Sequence, residues 1–207
     1  MKGLIIKDIL NLKNYGRSIL FIIGFYGIFA YTINDAGFLG GMIVLLMTMM
    51  SVSSFSYDDL AKWDKYALSL PISRKDMVIS KYLLSIIFIV LGAVLSFVIV
   101  FVISNIKNSV NLWELLLGTY SSSAVAIIFI SVLMPLLYKF GVEKSRVMII
   151  AVFAIPTLLV VLLSKLEIAK PSEEQLMLLL KMSPIIVIAV MMVSLFISYN
   201  IYRKKDM

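Results

Sequence analysis

Histidine and cysteine are both missing from this 207-residue chain. Without them there are no disulfides, most zinc sites lose their ligands, and the usual Ser-His and Cys-His catalytic pairs are excluded. No GxxxxGK[ST] loop occurs either, so the chain does not bind a nucleotide by the P-loop route. Charge is scarce: 15% of the residues are charged and 61% hydrophobic, with a mean hydropathy of +1.03. A soluble domain carries about 25% charged and 45–50% apolar residues.

The scarcity is concentrated. Six intervals hold no charged residue at all: Ser18–Asn34, Ala36–Tyr57, Tyr82–Ile106, Leu115–Tyr138, Val147–Ser164 and Met182–Tyr202. A helix rises about 1.5 Å per residue and the hydrocarbon core is roughly 30 Å thick, so each interval can span, the first and fifth only just. Backbone groups in lipid must be satisfied internally, and the runs lack the alternation of barrel strands, so the segments are helices. No acid or base falls within the core of any interval, where proton-coupled transporters and intramembrane aspartyl proteases keep theirs. Work done by such a chain draws its energy from another polypeptide.

The expected fold is therefore an all-α integral membrane protein forming a single transmembrane domain, 1–207. Its six transmembrane helices are placed at about 18–34, 36–56, 80–105, 115–138, 147–164 and 183–202. No small-x-small cleavage site follows Ile33, so the first is read as a retained helix and not a signal peptide. With both termini cytoplasmic, 15 of the 19 basic residues lie inside, and only Lys107, Lys165, Lys170 and Lys181 lie outside. That is a strong positive-inside bias. The net charge of +7 thus reads as topology and as affinity for anionic membrane lipids, with no nucleic acid implied.

Residues 1–17 read as an amphipathic interfacial helix. Ile5, Ile9 and Leu12 share one face with Ile6 and Leu10 beside them, while Lys7, Asn11 and Asn14 occupy another. The turn at Asn34–Gly37 is so short that the first two spans form an antiparallel pair. Gly37 with Gly41, and Gly92 with Ser96, offer small-xxx-small faces for close packing. Pro135 and Pro156 each remove a helix hydrogen bond and favour a kink. Beyond Pro171, Ser172 and Gln175 form a capping pair for a short outer helix over 172–181, before Pro184 and the last span.

One polar stretch, Ser54–Tyr82, holds nine of the 31 charged side chains. Ser56 with Asp59 can cap a helix running to Leu70, with Leu60, Trp63, Ala67 and Leu70 as its apolar stripe and Asp59, Lys62 and Lys65 on other faces. Pro71 ends it. Ser73 with Asp76 then caps a second helix that continues through Lys81 into the third span as one rod. Asp58 and Asp59 are adjacent and point to different sides, which suits a helix N-terminus better than acid–base chemistry. A force on the short helix passes directly into spans two and three.

Trp63-Asp64-Lys65-Tyr66, Ser69-Leu70-Pro71-Ile72-Ser73-Arg74-Lys75-Asp76 and Lys81-Tyr82 resemble the segment between the second and third helices of small ABC-2 type permeases. These include the permeases of phenol-soluble-modulin exporters of Gram-positive bacteria. The N-terminal elbow, the six-span layout and the small outer helix match too. The resemblance implies an ABC-2 (type V) exporter-like fold in the bacterial cytoplasmic membrane. It further implies a permease homodimer with two copies of a separate ATPase subunit that binds ATP and Mg, this chain holding no cofactor or metal. The coupling region is 57–79, with Asp58, Asp59, Leu60, Lys62, Trp63, Lys65, Tyr66, Leu70, Pro71 and Arg74 meeting the ATPase. A second inner loop, Lys139, Glu143, Lys144 and Arg146, makes a further contact. Uncharged spans rich in Met, Ser and aromatics suit an amphipathic or hydrophobic cargo, such as cytolytic peptides, lipids or hydrophobic antibiotics. The competing class is a non-transporting immunity or scaffold membrane protein. It explains the basic residues by topology alone, but not Trp63 or the two successive caps.

Overall fold

The computed structural model describes residues 2–33, 36–67, 69–108, 110–165 and 173–205. All regular structure among them is helical: α1 (Lys2–Ile33), α2 (Ala36–Leu60), α3 (Trp63–Ala67), α4 (Arg74–Ile106), α5 (Leu112–Lys165) and α6 (Glu173–Arg203). Four stretches among the described residues are long and apolar enough to cross a bilayer: Gly37–Leu60, Arg74–Ile106, Leu112–Ser145 and Leu178–Arg203. The residues group into two compact units, one up to Ile127 and one from Ile128 to Asp206.

The first unit is built on α2 and α4. Val44 faces Gly92 and Gly40 faces Ser96, while Ser54 meets Lys81. Residue numbers rise on one helix as they fall on the other, so the two run antiparallel along most of their length. Glycine is required at two points. A Cβ on Gly92 would lie 2.9 Å from Met47 Cβ and 3.2 Å from the Val44 Cα, and one on Gly40 would lie 2.8 Å from Ser96 Oγ. The close contact expected of Gly92 and Ser96 is therefore present. Its counterpart on α2 is Gly40, the residue just before Gly41 of the Gly37–Gly41 pair that spacing alone selects. Leu12, Ile19 and Ile23 of α1 complete the core against Leu39, Ile43, Leu84 and Phe88. Because Lys7 reaches Asp58 and Tyr15 meets Tyr57 edge-on, α1 lies antiparallel to α2, as the short connection requires.

Two expected boundaries are corrected here. The interfacial segment 1–17 and the first span form one uninterrupted helix of 32 residues, about 48 Å long at 1.5 Å per residue. Its buried stripe is Leu4, Asp8 and Leu12, whereas Ile6, Ile9 and Leu10 are exposed. An acid occupies the centre of that stripe, and its ion pair with Lys81 of α4, together with that of Lys7 with Asp58 of α2, holds the amino-terminal turns against the bundle. At the other end of the chain, the short outer helix and the last span are one helix, α6, with Pro184 inside it. Pro184 cannot donate to the Leu180 carbonyl, but the Ser183 hydroxyl donates to it at 2.8 Å, so the helix passes through the proline without an orphaned acceptor. The expected cap, Ser172, lies outside the described residues.

In the second unit, α5 breaks at Gly141, where φ is 74° and ψ is 176°. Phe129 and Phe153 flank that break symmetrically, and their ring centroids are 4.7 Å apart. In a straight helix they would be separated by about 36 Å. The two halves of α5 therefore fold back on one another, and the inner loop expected over 139–146 is reduced to a corner at one glycine. The conformation at Gly141 is close to one that only glycine adopts readily. Pro135 is accommodated without a break. The Ser131 carbonyl that it leaves without an intrahelical donor accepts from the Ser194 hydroxyl of α6. Tyr138 and Tyr202 meet edge-on, with ring centroids 5.3 Å apart, further along the same contact.

Candidate functional site

The polar stretch begins one helix turn later than its capping residues imply. Ser56 and Asp59 lie in the final turns of α2, which continues to Leu60. There the chain turns through Lys62 in the left-handed region, φ 49°, with Ala61 N–H donating to the Tyr57 carbonyl at 3.0 Å and Lys62 N–H to that of Asp59 at 3.1 Å. That is a helix C-terminus closed by a left-handed residue. The expected helix from Asp59 to Leu70 is reduced to the five residues of α3, followed by the turn at Ser69–Pro71. The expected stripe divides accordingly. Ala67 is fully buried, Trp63 and Leu70 are half-buried, and Leu60 is 82% exposed. The break at Pro71 and the second cap stand as expected. Ser73 Oγ accepts from Asp76 N–H at 3.0 Å, and α4 runs from Arg74 through Lys81 to Ile106 as a single rod.

Beside α3 lies a cluster of four charged side chains, of which only Asp58 is among the residues expected to form the site. Lys7 and Asp8 of α1, Asp58 of α2 and Lys81 of α4 form a closed ring of alternating charge. Lys7 Nζ is 2.6 Å from Asp58 and 3.0 Å from Asp8, and Lys81 Nζ is 2.6 Å from Asp58 and 3.0 Å from Asp8. The two members at its heart are almost removed from solvent, with side-chain exposures of 1% for Asp8 and 9% for Lys81. Lys81 donates as well to Ser54 Oγ at 2.6 Å. Its three ammonium hydrogens thus have three acceptors. The Phe55 ring lies 5.0 Å from the same ammonium. Lys7 faces outward from the ring onto Trp63, 4.2 Å from its centroid, at a cation–π distance.

Of the residues singled out in the sequence, Asp58 is thus inside the ring and Trp63 against it. Tyr66 packs on Trp63 at 5.4 Å between centroids and remains 59% exposed. Asp59, Lys62, Lys65 and Pro71 are exposed, and Arg74 is half-buried at the start of α4. The second inner group surrounds the Gly141 corner. Lys139, Glu143 and Lys144 are exposed there, Lys139 lies 5.1 Å from the Phe140 ring, and the side chain of Arg146 is outside the described residues. Two signals could have revealed Lys7, Asp8, Ser54 and Lys81. Asp8 interrupts the spacing Leu4–Leu12 at the position where a core residue belongs. Lys81 precedes Ser85, Phe88, Gly92 and Ser96 on the face of α4 that packs on α2.

A family model described as ABC-2 family transporter protein matches residues 3–203. The chain belongs to the ABC-2 transporter family. It is accordingly a membrane transport subunit and not an enzyme by itself, and the family implies pairing with an ABC ATPase. No curated protein and no solved structure matches the chain. Within this ABC-2 protein, the α2–α3–α4 connection occupies the place of the segment whose motifs carried the resemblance.

Proposed function

We propose that the chain is the permease of an ATP-driven exporter in the bacterial cytoplasmic membrane, energised through α3 by a separate ATPase subunit. The observation that carries this reading is the family match across 3–203, in a chain with no P-loop of its own. Six spans follow if α1 and both halves of α5 are counted with α2, α4 and α6, which leaves both termini on the cytoplasmic side. The exposed faces of Tyr66 and Leu60, with Lys62 and Lys65 beside them, are then the contact for the ATPase, and the Gly141 corner with Lys139, Glu143 and Lys144 is a second one. Two such chains with two ATPase subunits, which hold ATP and Mg, make the working complex. The spans present uncharged, Met- and Ser-containing surfaces, suited to an amphipathic or hydrophobic cargo. Cytolytic peptides of the phenol-soluble-modulin type fit best.

The test is co-purification from the source cell with an ATPase carrying a P-loop. Replacing Leu60 and Tyr66 together by aspartate is expected to abolish it while the chain still inserts, since both side chains project away from the core. Undiminished association in the double variant would show that α3 is not the contact. A wild-type chain that binds no ATPase would instead favour the scaffold or immunity reading.

A further inference from the structure

Seating a partner on Trp63 and Tyr66 does not require a ring of four charges, two of them buried, next to them. The ring does something else: it ties the amino-terminal turns of α1 to the ends of α2 and α4 at the level of α3. Further along, α1 packs on the same two helices through Leu12, Ile19 and Ile23, which are buried against Leu39, Ile43, Leu84 and Phe88. Each ring member has two partners of opposite sign, so opening any one edge leaves a poorly solvated charge half-paired. Edges of that kind resist opening much more than exposed ion pairs do.

We infer that the ring is a rigid joint that makes α1, α2 and α4 move as one body at their inner ends, with Lys7 as the positioning residue through which displacement of α3 reaches α1. Lys7 is suited to this because one ammonium touches Trp63 on α3, Asp58 on α2 and its own neighbour Asp8. The inference rests on reading α3 as the ATPase contact, and it adds a third helix to the two that the connection joins covalently.

The absence of native cysteine allows unique spin labels. Leu10→Cys on α1 and Leu83→Cys on α4 place them on exposed positions of the two helices. Pulsed dipolar spectroscopy on the permease–ATPase complex in nanodiscs, assembled with an excess of unlabelled chain so that each complex carries one labelled copy, would compare the nucleotide-free and ATP–vanadate states. With the ring intact, one narrow distance distribution is expected, unchanged by nucleotide. In Lys7→Gln it should broaden and gain a longer component, and Lys7→Arg should restore the narrow form. If Lys7→Gln does not purify, Asp58→Asn opens the same edge and is read in the same way. A nucleotide-dependent shift with the ring intact, or a narrow distribution in the charge-deleted variants, overturns the joint. Failure of the ATPase to bind the wild-type chain would count against α3 as the contact, and the nucleotide-free comparison would still decide whether the ring is rigid.

Discussion

Replacing Lys81 by methionine keeps the length and apolar stem of the side chain but removes the ammonium that holds Asp8, Asp58 and Ser54. Asp58 keeps Lys7 at 2.6 Å, and Asp8 keeps only the same lysine at 3.0 Å. One cation then faces two carboxylates, and the less compensated of them, Asp8, is 1% exposed. Removing one partner of a buried pair typically costs about 3–5 kcal/mol. Lys7 and Asp58 retain side-chain exposures of 22% and 12%, so water relieves part of the imbalance and the lower end, about 3 kcal/mol, is the expected value. The decisive comparison is the double variant Lys81→Met with Asp8→Asn. It removes the excess negative charge, and the pair left is Lys7 with Asp58. It should be more stable than Lys81→Met alone by roughly 1–2 kcal/mol, so the double-mutant cycle should show a coupling of at least that size. The assay is reversible unfolding in mixed detergent micelles, read through tryptophan fluorescence. Should Lys81→Met lose less than about 1 kcal/mol, or the double variant prove additive, the four charges behave as exposed ion pairs and burial does not couple them.

The same unfolding assay reads four further substitutions. Gly92→Ala is expected to cost about 1–3 kcal/mol because its Cβ would meet the Val44 backbone at 3.2 Å; Gly40→Ala should cost less, since the Ser96 hydroxyl it meets can rotate away. Gly141→Ala forces a side chain into a conformation near φ 74°, ψ 176° and should lose about 1–3 kcal/mol, with cysteine cross-linking at positions 129 and 153 reporting whether the hairpin still closes. Ser194→Ala removes the donor to the Ser131 carbonyl and should cost about 1–2 kcal/mol; in a Pro135→Ala background, where a backbone N–H is available again, most of that loss should disappear.

The helices were legible because lipid leaves the backbone no alternative, and hydrophobic length alone places α2 and α4 within a few residues. Local caps were legible where nothing competed with them, as at Ser73 and Asp76. Ser56 and Asp59 have the same spacing yet lie in the last turns of α2, where no helix starts. Asp58, just before Asp59, is drawn into a long-range ring, which keeps α2 helical for another turn. Capping propensity is a matter of tenths to about 2 kcal/mol and is overridden by a buried charge partner. The stripe on α1 was misplaced for a related reason. Hydrophobic spacing treats Asp8 as polar and so turns it outward, whereas its two lysines turn it inward. The outer helix and the last span looked separate because Pro184 reads as a stop, and the Ser183 hydroxyl that carries the helix through has no pattern of its own in the sequence.

The size of α3 bears on how it would work as the proposed contact for an ATPase. A five-residue helix is far below the length at which helices hold themselves together in water, so the shape of the connection cannot come from α3 itself. It comes from the elements on either side. Lys62 in the left-handed region turns the chain out of α2, the Ser73 cap fixes where α4 starts, Ala67 is fully buried, and Trp63 leans on an ammonium that the ring already holds. A contact surface supported in this way borrows its stiffness from the ends of α1, α2 and α4. Weakening the ring should therefore loosen α3 without altering one residue of its surface. Changing Tyr66 should alter that surface and leave the ring as firm as before. Those two classes of variant separate the binding of a driving partner from the transmission of its push, and they do so at side chains that meet the same indole, Lys7 on one side of Trp63 and Tyr66 on the other.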